Sequence, residues 1–130
     1  MHKGSCLCGG VAFEVHGPLR PVVCCHCTQC RKQTGHYLAA TSCAHEDFRM
    51  LRQDGLKWYR ASAQAERGFC GTCGSNLFWQ ADKQPRISIV AGVFDGKTGL
   101  TVEGHIYCAD KGDYYEIPAN EGYRKAQWED

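Results

Sequence analysis

Gly68-Phe69-Cys70-Gly71-Thr72-Cys73-Gly74-Ser75-Asn76-Leu77-Phe78-Trp79 reads as strand, tight knuckle and strand. Two residues between Cys70 and Cys73 let both thiolates reach one tetrahedral ion at about 2.3 Å. Gly71 and Gly74 are expected to allow the tight backbone and positive φ values of such a knuckle, and to leave N–H groups facing the sulfurs. A pair with this spacing can also be a redox dithiol, but that chemistry wants a helix to begin after the first cysteine. The run Gly71 to Asn76 is a poor helix start. Strands joined by a metal knuckle imply a mostly β protein organised around bound ions.

The chain carries ten cysteines in 130 residues, and eight fall into three short arrays. Disulfide frameworks spread their cysteines, whereas metal sites gather pairs one to four residues apart. Cys6-Leu7-Cys8, followed by Gly9-Gly10, can complete the Cys70/Cys73 pair. Cys6, Cys8, Cys70 and Cys73 then form a closed four-thiolate site, which is structural. The array Cys24-Cys25-His26-Cys27-Thr28-Gln29-Cys30 has no second pair left to complete it. Three protein ligands with one open position is the pattern of a catalytic or substrate-binding zinc. Spacing alone leaves open whether Cys24 or Cys25 joins Cys27 and Cys30. It also leaves open a second closed site, with Cys43, Cys108 or a histidine as fourth ligand. His26 lies between two ligands and is expected to point away from their ion, towards substrate or a supporting contact.

The formal charge is +1, from 15 Lys and Arg against 14 Asp and Glu. That balance argues against a nucleic-acid binder driven by bulk charge. The N-terminal MHKGSCLCGG has no apolar core of a signal peptide, and no stretch approaches 18 apolar residues. No membrane association is expected, and clustered reduced thiols suit a cytoplasmic setting. Length fits one domain over residues 1–130, with metal contributing to its stability.

Val11, Phe13 and Val15 alternate with Ala12, Glu14 and His16 as a half-buried strand, which Gly17-Pro18 ends. Val22-Val23 leads into the second cysteine array, and Tyr37 to Ser42 and Leu56 to Arg60 are further strand candidates. Ala44 to Phe48 reads as a turn or one helical turn, since acidic residues suit a helix start. Arg86 to Phe94 is the clearest strand, closed by a hairpin-type turn at Asp95-Gly96. Gly104 to Cys108 is a short strand, and no segment shows a long helical period. Arg31-Lys32 could hold an anionic substrate group beside the thiolates. His36, His45 and His105 are available as acid–base groups. The aromatic residues Tyr37, Phe69, Phe78, Trp79, Phe94 and Tyr107 read as core and pocket wall.

Four motifs in order, Gly4-Ser5-Cys6-Leu7-Cys8-Gly9, Cys25-His26-Cys27-Thr28-Gln29-Cys30-Arg31, Phe69-Cys70-Gly71-Thr72-Cys73-Gly74-Ser75 and Gly104-His105-Ile106-Tyr107, resemble a known family. It is that of the glutathione-dependent formaldehyde-activating enzymes and their relatives, which share a domain with centromere protein V. The resemblance implies several small antiparallel sheets around zinc knuckles, similar to the Mss4-like fold. It implies two zinc ions. Cys6, Cys8, Cys70 and Cys73 would hold the structural one, and Cys25, Cys27 and Cys30 the catalytic one, which favours Cys25 over Cys24.

The activity implied is the reversible joining of formaldehyde and glutathione to S-(hydroxymethyl)glutathione, a carbon–sulfur lyase reaction. The expected partner is therefore a small thiol such as glutathione, or its aldehyde adduct. The alternative is a structural or interaction module held together by zinc, with two closed sites and an exposed apolar patch. Nucleic-acid binding has only zinc knuckles and scattered Arg and Lys in its favour.

Overall fold

Val11, Phe13 and Val15 are fully buried, and this row is the centre of the core. The Phe13 ring stacks on Phe48 at 5.4 Å and meets Phe78 and Phe94 edge-on at 5.4 and 5.5 Å. Offset and edge contacts of this kind suit the charge distribution of aromatic rings. Leu77, Ile87, Ile89 and Cys43 complete the cluster.

The structure, a computed structural model, describes residues 1–128. In chain order the first strands are β1 (His2–Ser5), β2 (Val11–Val15), β3 (Val22–Cys25), β4 (Leu38–Ala44), β5 (Phe48–Gln53) and β6 (Leu56–Arg60). They are followed by β7 (Ala65–Cys70), β8 (Asn76–Ala81), β9 (Arg86–Val90), β10 (Val102–Ile106) and β11 (Tyr123–Arg124). One α-helix, α1 (Thr28–Thr34), separates β3 from β4. The protein is mostly β, as the knuckle implies. Among the described residues no helix is long and apolar enough to cross a membrane.

The chain divides into two compact units. The first consists of Met1–Arg20 and Thr41–Gly99, the second of Pro21–Ala40 and the residues from Leu100 onward. In the first, β2 pairs antiparallel with β1 and β5, while β6, β7, β8 and β9 pair antiparallel in succession. Strand–knuckle–strand over Gly68–Trp79 is the β7–β8 hairpin.

In the second unit β10 pairs parallel with both β3 and β11, and β3 pairs antiparallel with Leu38–Ala40 of β4. The expectation of antiparallel sheets is corrected here. β3 and β10 are far apart in sequence, so no tight turn joins them and a parallel pairing is open to them.

Other differences have local causes. The strand expected to Phe94 stops at Val90, where Ala91–Val93 form a single 3₁₀ turn. Asp95-Gly96 makes no hairpin, because the next strand, β10, pairs with β3 and β11. The helix α1 has seven residues, too few to show a period. Ala44 to Phe48 does form the expected turn, a 3₁₀ turn at His45–Asp47.

Replacing Phe13 with Ala removes a fully buried ring touching three others. The expected cost is about 3–5 kcal/mol of unfolding free energy, measured by urea denaturation of the metal-loaded protein. A cost below about 1 kcal/mol would contradict the central place given to this ring.

Candidate metal centres

The first centre is built from two turns in the first unit. Cys6 and Cys8 follow β1; Cys70 ends β7, and Cys73 closes the knuckle. The four sulfurs lie within 4.8 Å of one another. Cys6 Sγ is 3.6 Å from Cys8 Sγ, which is 3.8 Å from Cys70 Sγ. A tetrahedral ion with bonds of about 2.3 Å needs sulfurs about 3.8 Å apart, so the donor set fits a four-thiolate cage. All ten cysteines are free of disulfides.

Hydrogen bonds fix the turns. Cys6 N–H donates to Val11 O and Val11 N–H to Cys6 Sγ, at 2.9 and 3.3 Å. Gly74 N–H donates to Cys70 O at 2.7 Å with φ at 81°, a conformation that glycine adopts without strain. Gly71 does not take the expected positive φ. A Cβ there would sit 2.8 Å from Cε of Lys57 and 3.3 Å from Gly55 O.

Ser75, which the sequence leaves unassigned, ties the turns together. Its Oγ accepts from Leu7 N–H at 3.0 Å and stands 3.3 Å from Cys73 Sγ. The Ser75 hydroxyl and nearby N–H groups pull the Cys73 thiol down to about 5. Such donors favour the thiolate.

The second centre lies within the second unit. Cys25 ends β3, Cys27 is the N-cap of α1, and Cys30 sits buried in the first turn of that helix. Cys27 Sγ accepts the N–H of Cys30 at 3.4 Å, the side-chain-to-backbone bond of an N-cap. The sulfurs of Cys25, Cys27 and Cys30 lie within 4.8 Å of one another. Donation from the thiols of Cys25 and Cys30 holds the Cys27 thiol down at about 2. Cys25, lying against those same two sulfurs, is pushed far up. Metal-free, the group therefore shares its protons unequally.

The structure separates residues that spacing could not. Cys24 does not join the sulfur group, because neighbouring strand residues point to opposite faces. It is buried, and that burial pushes its thiol up to about 11. Cys43 lies in the core of the first unit, with burial likewise raising it to about 11. Neither it nor Cys108 joins either sulfur group.

His26 points away from the sulfurs, as expected, into a run of hydrogen bonds. Its Nδ1 is 2.5 Å from the Tyr115 hydroxyl, and its Nε2 is 2.8 Å from His105 Nδ1. His105 Nε2 in turn is 3.0 Å from Glu121 Oε1. Both rings are fully buried, and burial, then the nearby His105, lowers the His26 pKa to about 4. Tyr37 lies 4.5 Å from the His26 ring, and His36 packs against Tyr37. His45 belongs to the first unit, whereas these residues belong to the second. Arg31 and Lys32 occupy the last turn of α1.

With both sulfur groups in place, the relatives of the chain become informative. The family model described as glutathione-dependent formaldehyde-activating enzyme matches residues 1–110, which include both sulfur groups and His105. The chain belongs to this family. An uncharacterized lyase of Schizosaccharomyces pombe is 29% identical over 118 residues, which cover 89% of this chain and 85% of the relative. A crystal structure of a Rhodobacter sphaeroides protein superposes with a TM-score of 0.60 at 28% identity, covering 75% of this chain and 91% of that one. This member of the formaldehyde-activating family thus carries two cysteine groups able to coordinate metal, one of four sulfurs and one of three.

Thiolate-selective alkylation of the reduced, metal-free protein at about pH 6.5 is expected to label Cys73 and Cys27 first. Their lowered pKa values leave them ionised there. Cys24 and Cys43, near 11, stay protonated and react only as the pH approaches that value. Peptide mass mapping reads the order, and early labelling of Cys43 would contradict it.

Proposed function

We propose that the protein is a zinc-dependent carbon–sulfur lyase acting on a thiol–aldehyde adduct of the S-(hydroxymethyl)glutathione type. The observation that carries this reading is the inequality of the two sulfur groups: Cys6, Cys8, Cys70 and Cys73 offer four ligands, whereas Cys25, Cys27 and Cys30 offer three. A four-thiolate site is saturated and serves as a staple. A three-thiolate site leaves one of four positions to a non-protein ligand, which is the arrangement of catalytic zinc.

In the cleavage direction, the adduct's carbon–sulfur bond breaks with its electron pair on sulfur, and the hydroxyl proton leaves as the carbonyl forms. Zinc, when bound, supplies a Lewis acid for the oxygen and a cation that favours the thiolate. Cys25, Cys27 and Cys30 hold that ion, and the cap bond from Cys30 N–H fixes Cys27 against α1. Arg31 and Lys32, one turn further along the helix, are placed to attract the carboxylates of a glutathione-like thiol. Family membership and the name of the yeast relative support the lyase reading. Reduced cysteines on this scale suit a cytoplasmic protein.

One observation favours a second reading, an interaction module stapled by zinc. Trp58, Tyr59 and Trp79 of the first unit are exposed by 40%, 60% and 39%. Metal content and turnover separate the two readings. With glutathione and formaldehyde as substrates, Cys27→Ser is expected to lose one zinc per chain and nearly all turnover. Cys70→Ser is expected to lose the other zinc and to unfold at lower temperature. Full turnover in folded Cys27→Ser protein would overturn the lyase reading.

A further inference from the structure

The four-sulfur group is braced by its own construction, since two separate turns meet at it. The three-sulfur group has no such brace, because its ligands all come from one stretch of six residues, Cys25 to Cys30. The ladders of β3 with β4 and β10 end at Cys25, and α1 is capped at Cys27, so the one residue between strand and helix needs a hold of its own. His26 is that residue, and it is held twice. Its N–H donates to Ile106 O at 3.0 Å, and both of its ring nitrogens have partners.

Those partners lead to the C-terminal segment. Tyr115 bonds His26 directly, and Glu121 bonds His105, which bonds the other side of His26. Tyr115 and Glu121 lie outside residues 1–110, the part matched by the family. The same segment reaches the far end of α1, where the Tyr114 hydroxyl donates to Gly35 O at 2.6 Å. Gly35, at φ 77°, is the C-cap of that helix. The segment is itself fastened by Lys111 Nζ, which donates to Tyr115 O at 2.6 Å, and by Arg124, which donates to Ile117 O. Every ring nitrogen of the buried pair is thus satisfied, as buried polar groups require.

We propose that the segment Lys111–Arg124 is a positioning clamp for the three-cysteine centre. Tyr115 and Glu121 grip the buried His26–His105 pair from its two ends and so fix the backbone that carries Cys25 and Cys27. Tyr115 and Glu121 are positioning residues that act through His26. The proposal rests on the reading of Cys25, Cys27 and Cys30 as a metal centre.

The test uses the full chain loaded with cobalt(II), with Tyr115→Phe, Glu121→Ala and Glu121→Gln beside the wild type. Tyr115→Phe keeps the ring and removes the partner of His26 Nδ1. Glu121→Ala removes the acceptor for His105 Nε2, and Glu121→Gln restores one. Metal affinities come from competition with a chromophoric chelator, and site geometry from the cobalt ligand-field bands. Tyr115→Phe and Glu121→Ala are expected to weaken the three-cysteine ion by about 10- to 100-fold, the usual scale for groups that orient ligands. Its bands shift, while the four-cysteine ion binds as in wild type. Glu121→Gln is expected to behave as wild type.

Unchanged affinity and bands in both disruptive variants would overturn the clamp. So would equal loosening of both ions, which signals general destabilisation. Uptake of a single ion by the wild type, unaffected by Cys27→Ser, would instead remove the metal-centre reading on which the clamp depends.

Discussion

In the first unit, sulfur atoms from opposite ends of a long sequence separation come close enough together to coordinate one ion. Cys8 and Cys70 are 62 residues apart in the chain, yet their sulfurs stand 3.8 Å apart. As thiolates at such distances the four sulfurs repel one another, and N–H donors such as that of Val11 offset only part of that cost. A bound metal would offset that cost, and because only the folded chain offers the four sulfurs together, its binding would add directly to folding stability. The aromatic packing around Phe13 and the antiparallel pairing of β2 with β1 adjoin the turn that Cys6 N–H closes on Val11 O.

The second unit solves a different problem. Strand alternation along β3 sends Cys24 and Cys25 to opposite faces, and His26, just beyond the strand, turns its ring to Tyr115 and His105. One side of this stretch gathers thiols. The other gathers two buried imidazoles, a phenol and a carboxylate in one line of hydrogen bonds. Short spacing brings three sulfurs together cheaply, because little loop entropy is lost, but leaves their backbone in need of outside support.

The sulfur groups were legible in the sequence because metal ligation imposes short spacings, glycine-flanked at Cys6-Leu7-Cys8 and Cys70-Gly71-Thr72-Cys73. Cys70-Gly71-Thr72-Cys73 announces its turn, and Val11-Ala12-Phe13-Glu14-Val15 announces its strand. Less was visible in the second unit. The parallel pairing of β10 with β3 joins segments with no local signal of partnership, and α1 is too short to declare a period. Tyr115 and Glu121 were hidden for a similar reason. Their partners, His26 and His105, are brought to them by tertiary structure alone, 89 and 16 residues away in sequence.

The central claim is that one ion is fully enclosed by protein sulfur and the other is not. Anomalous scattering at the zinc edge, from crystals of the zinc-loaded protein, counts the ligands at each ion directly. The expected result is two zinc peaks, one among Cys6, Cys8, Cys70 and Cys73, the other bound by Cys25, Cys27, Cys30 and a non-protein ligand. A fourth protein ligand on the second ion, or no second ion in zinc-saturated crystals, would contradict it.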